Sequence, residues 1–117
     1  MARGDAAEAA RAEAARARAM VEERARSVLV TTGDVAAKVE PVKIVFAVGG
    51  SRQGLFRAAS PQEAFERATE ALQRAAVAAG GHAVVHCSFG YAAVSSSGCG
   101  GGAGFTVHGY GTVVRLV

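Results

Sequence analysis

The chain has 117 residues and a mass of 11.8 kDa; 50% of the residues are hydrophobic but only 6% are aromatic and none is Trp, which bounds it to one domain with a thin core rich in Ala and Val. The net charge of +3 is scattered, with six Arg against five acids in residues 1–26 and seven bases against five acids in residues 27–117, and the absence of a basic stripe argues against nucleic-acid binding. No apolar run of about 18 residues exists to span a membrane. Asp5, Glu8 and Glu13 stand where a secretory signal needs apolar residues, and two cysteines make no disulfide framework, so the expectation is a cytoplasmic protein with reduced thiols.

Composition divides the chain into an Ala/Arg/Glu-rich arm, residues 1–26, and a core domain, residues 27–117. Residues 5–26 are helix formers throughout. Asp5 opposes the helix dipole at the start, and Arg24 and Arg26 complement it at the end. Ala7, Ala10, Ala14, Ala17 and Val21 form a narrow apolar stripe at heptad spacing. An alanine stripe buries little area, so the expectation is a partly frayed, solvated helical arm, with close pairing to another helix in an oligomer or docking of a protein partner as the alternatives.

Ser27 to Thr32 switches to β-branched residues and predicts a short strand, closed by a Gly33-Asp34 turn. Val42 to Val48 predicts a second strand, bounded by Pro41 and Gly49-Gly50, and residues 49–59 read as a loop. Ser60-Pro61-Gln62-Glu63 is a capping box with Pro at the first helical position. Ala64, Phe65, Ala68, Ala71, Leu72, Ala75, Ala76 and Ala79 then trace one apolar helix face, until Gly80-Gly81 stops it. Ala83 to Val94 and Ala103 to Leu116 predict two long strands joined by a glycine-rich loop. The order β-β-α-β-β predicts a two-layer α+β fold, a small curved antiparallel sheet covered by one helix, with an additional N-terminal helix. Exposed sheet edges and a thin core predict a closed homo-oligomer.

Several residues carry a family resemblance. Gly80-Gly81-His82-Ala83-Val84-Val85 after an Ala-rich helix resembles the helix-to-strand junction of the YbjQ-like family, which is described as heavy-metal-binding. Gly111-Thr112-Val113-Val114 is similar to its last-strand motif, and Val30-Thr31-Thr32 to its opening strand. The resemblance covers residues 27–117. It implies a subunit like that of dodecin and a ring-shaped homo-oligomer, commonly a pentamer. Two departures stand out: the family has Gly where this chain has His86, and the segment of residues 49–59 is short.

The candidate metal ligands are His82, His86, Cys87, Cys99 and His108, whose imidazole and thiolate chemistry suits zinc or copper. Their spacing makes no chelating motif. On a regular strand His86 and Cys87 point to opposite faces, while His82 and His86 share a face about 13 Å apart. His86 and His108 meet only if the hairpin register allows. A ring alters this geometry, because one histidine near its axis repeats in every subunit; His86 or His108 then supplies the site. Cys87 also reads as a buried core thiol and Cys99 as an exposed thiol with no activating neighbour. Gly49-Gly50-Ser51-Arg52 could hold an anion, or simply connect strand to helix. No nucleophile–base pair stands out, so the chain carries no enzyme signature. The alternatives to metal are a flavin-like molecule at subunit interfaces, against Phe89, Tyr91, Phe105 and Tyr110, and a scaffold that docks partners through the N-terminal helix.

Overall fold

A computed structural model describes residues 2–52, 58–95 and 103–117. Its elements are α1 (Ala2–Arg26), β1 (Leu29–Val30), β2 (Val39–Arg52), α2 (Pro61–Ala78), β3 (Ala83–Ser95) and β4 (Ala103–Leu116). The fold is α+β with two layers: a four-stranded sheet in the order β1-β3-β4-β2, with α2 packed across one face. β3 and β4 form the expected antiparallel hairpin, and β2 pairs antiparallel with β4. The sheet is nevertheless mixed rather than wholly antiparallel, because β1 runs parallel to β3, with Leu29 opposite Ala83 and Val30 opposite Val84.

The helix α2 begins and ends for visible reasons. Ser60 is the N-cap, and its Oγ accepts a hydrogen bond from the Glu63 N–H. The Ser60 N–H donates to Oγ of Ser51, 3.0 Å away, and thereby fixes the helix start to the end of β2. At the other end Gly80 takes φ +76°, and the Gly80 and Gly81 N–H groups donate to the Val77 and Ala76 carbonyls. Those two bonds are the αL stop that only glycine makes without strain. Ala64, Ala68, Leu72 and Ala76 are fully buried, as the apolar periodicity requires. Phe65 departs from that face. It is 45% exposed and stands at the flank of the helix against Phe89, with ring centroids 4.5 Å apart.

Two strands differ in length from expectation. β1 is only two residues, because the Ser27 and Val28 N–H groups still donate to the Arg24 and Ala25 carbonyls at the end of α1. β2 runs through the expected Gly49-Gly50 loop to Arg52. Gly49 faces α2, and a Cβ there would run into the Ala64 carbonyl oxygen and the Ala68 amide nitrogen. The glycine thus serves a close helix–strand approach and not a turn.

The main core lies between α2 and the sheet: Val28, Val45, Ala47, Leu72, Ala76, Val84, Cys87 and Val113. Burying Leu72 alone is worth about 2 kcal/mol. On the opposite face of the sheet, Ala83, Val85 and Val114 are covered at one end by Val35 and Val39. Among the described residues no helix or strand covers the rest of that face. α1 packs on α2 through its last turns, where Ala25 is buried and Arg74 lies 3.8 Å from Glu22. The stripe from Ala7 to Val21 is exposed.

Candidate functional site

The register separates the predicted ligands. His82 follows the α2 stop; its N–H donates to the Val114 carbonyl, and its Nδ1 accepts from the Leu116 N–H at 3.0 Å. It therefore clamps the end of β4. His86 and Cys87 sit in a bulge of β3, between the pairs Val85–Thr112 and Ser88–Tyr110. His86 takes φ +51° there, the left-handed region that favours glycine. That backbone geometry accounts for the glycine expected at this position by resemblance. The His86 N–H donates to the Gly33 carbonyl, and Nε2 lies 3.9 Å from the Asp34 carboxylate in an exposed pair.

Cys87 turns into the core and is 6% exposed. Burial pushes its thiol pKa up, against a smaller lowering by the backbone hydrogen bond at Thr31. The thiol therefore stays protonated at neutral pH, the opposite of what a thiolate ligand needs. Gly111 opposite is required by this packing, since a Cβ there would lie 2.7 Å from the Cys87 sulfur. His108 is exposed on the bare face of the sheet, between Val48 on β2 and Gly90 on β3. It is three residues along β4 from the bulge, about 10 Å, so His86 and His108 do not meet within one chain. Among the described residues no three His, Cys, Asp or Glu side chains gather into a metal-holding group. Cys99 and its glycine-rich loop lie outside the described residues.

The Gly49–Arg52 segment offers no anion cradle. Its Gly49 position is filled by α2, the Gly50 carbonyl accepts from Arg67 Nη1 at 2.7 Å, and Ser51 is buried under the α2 cap.

Two surface features emerge instead. The first is the bare sheet face, where Ile44, Phe46 and Val48 are 61%, 77% and 61% exposed on β2 and Tyr110 is 50% exposed on β4. Phe46 and Tyr110 lie side by side with centroids 6.0 Å apart. Soluble monomers rarely expose such a row of large apolar side chains on an edge strand. The second is a shallow cleft of about 380 Å³ on the helix side of the sheet, lined by Pro61, Gln62, Phe65, Tyr91 and Val107. Tyr91 stacks on Phe105 at 5.6 Å beside it. The sequence pattern offers these aromatics without dividing them between faces. The register puts Phe89, Tyr91 and Phe105 on the α2 side and Tyr110 on the other. Sequence reasoning missed both features; the signals that could have found them are the alternation of Ile44, Phe46 and Val48 in β2 and the bulk of Phe65 beside an otherwise alanine-rich face.

No family model matches this chain, and no curated protein matches it. Among solved structures, the fold is similar to that of a protein of unknown function of the DUF74 family from Pediococcus pentosaceus ATCC 25745, with a TM-score of 0.62 and 20% identity over 77% of this chain and 98% of that one. At that identity the likeness shows a shared small α+β fold. It is consistent with the YbjQ-like resemblance in size and architecture, and carries no statement about metal. No helix among the described residues is long and apolar enough to cross a membrane.

Proposed function

We propose that the protein is a non-enzymatic binding protein that works as a closed assembly of identical copies in the cytoplasm, with its ligand held at surfaces that assembly creates. The observation that carries this reading is the exposed face of Ile44, Phe46, Val48 and Tyr110, on and beside an edge strand with no outer neighbour among the described residues. Burying it removes apolar area from water and protects the edge at once. The YbjQ-like resemblance favours five copies and a heavy-metal ion. Repetition of one histidine by symmetry supplies the ligands that a single chain lacks, and His108, exposed on that same face, is the better candidate than His86 in its bulge.

Native mass spectrometry with and without zinc and copper tests both parts. The expected result is a discrete oligomer with an integral number of metal ions, lost in His108→Ala. A monomer at every concentration overturns the assembly, and unchanged metal uptake in both His108→Ala and His86→Ala overturns the metal site. A second reading rests on the cleft at Phe65 and Tyr91. Its volume and apolar lining suit a planar organic ligand such as a flavin, whose fluorescence the protein would then quench, and Tyr91→Ala would abolish the quenching.

A further inference from the structure

We propose that copies join head to tail, with β2 of one copy adding in parallel to the free half of β3 in the next; this rests on the assembly reading above and names its joint. The sheet ends in two unequal edges. On one side β2 has no outer neighbour among the described residues. On the other, β1 covers only the start of β3: its pairs are with Ala83 and Val84, and the last bonds to that side are donated by the His86 and Cys87 N–H groups to the Gly33 and Thr31 carbonyls. From Ser88 to Ser95 the outer edge of β3 is open among the described residues.

The two open lengths match. Residues 44–51 of β2 read IVFAVGGS and residues 88–95 of β3 read SFGYAAVS. Each is eight residues without a charge or a proline, about 26 Å of parallel strand. Natural edges are blocked by lysine, proline or bulges. This chain places its Pro41, Lys43 and the β2 irregularity before residue 44, Arg52 after residue 51, and the His86 bulge before residue 88. The blocks frame both stretches and leave them open.

Direction follows from topology. β2 and β3 are each antiparallel to β4, so they run the same way. A head-to-tail repeat that keeps all helices on one face lays β2 of the incoming copy parallel to β3. That strand takes up the edge where β1, itself parallel to β3, leaves it. The placement of α2 fits the same joint. It lies over β2 and β4 and only grazes β3, which leaves Tyr91 59% exposed. The incoming β2 brings its own α2 beside that uncovered strip. Such a joint is heterologous: each copy uses two different edges, and the chain of copies must close into a ring or grow into a filament.

Lysine substitutions on the two edges test this by mixing. Val48→Lys blocks β2, and Ala92→Lys blocks β3, both at exposed positions. Each variant alone is expected to run as a folded monomer by native mass spectrometry and circular dichroism. Mixed, the free β2 of the Ala92→Lys chain meets the free β3 of the Val48→Lys chain, and a one-to-one dimer appears with nothing larger. Ile44→Lys and Ser88→Lys, also at exposed positions, form an independent pair with the same expected pattern should either of the first variants misfold. If wild type assembles and Ala92→Lys and Ser88→Lys assemble equally well, or if the mixtures yield no dimer, the joint is elsewhere while the assembly reading stands. If wild type is itself monomeric, the assembly reading fails and the joint with it.

Discussion

α1 and α2 are both rich in Ala, Arg and Glu, yet α2 buries Ala64, Ala68, Leu72 and Ala76 while, among its described side chains, α1 buries Ala25 alone. The difference lies in what the opposite surface permits. Alanine contributes little apolar area, so an alanine face gains stability only where another backbone comes close. Gly49 gives α2 that approach, and Leu72 anchors it in the main core. α1 has neither device before its last turn, and its stability comes from helix propensity. Similar composition thus yields one helix that holds the fold together and one that projects from it.

The contrast can be broken most severely at Gly49. Gly49→Val forces α2 off the sheet, with an expected loss of more than about 4 kcal/mol; a cooperative thermal melt near that of wild type would contradict the close-approach argument. Leu72→Ala leaves the approach intact and empties the anchor. Its expected cost is about 3 kcal/mol by chemical denaturation, and a loss below about 1 kcal/mol would show that the core collapses around the site. Deleting residues 2–20 removes most of α1 but keeps Ala25, Val28 and the Glu22–Arg74 contact. The expected loss is less than about 1 kcal/mol, because a helix without tertiary packing adds little to global stability. A larger loss would mean that α1 packs on a surface the isolated chain does not present.

Much of this architecture was legible in the residues. The cap Ser60-Pro61, the stop Gly80-Gly81 and the alanine periodicity between them define α2 to within a residue or two. The β3–β4 hairpin followed from two long β-rich runs. What stayed hidden depends on partners distant in sequence. Gly49-Gly50 resembles a turn by composition, and only the helix lying on it explains why the strand continues. The parallel pairing of β1 involves residues more than fifty positions apart, and no local pattern encodes it. For the candidate site, the scattered spacing of His82, His86, Cys87 and His108 already argued against a chelate in one chain. The bulge at His86 was not readable, since histidine is only a weak signal for a left-handed backbone. The resemblance supplied the stronger hint, in the glycine it expects there.

That bulge also divides β3 mechanically. Below it the strand is held from both sides, by β1 and β4; above it, among the described residues of one chain, by β4 alone. Fraying that begins at Ser95 meets a step in resistance at Cys87, whose N–H is tied to Thr31 and whose side chain is sunk in the core. Amide exchange along this one strand should therefore fall into two regimes, rapid from residue 88 onward and slow before it, with a single left-handed residue marking where the strand changes from a margin of the molecule into its interior.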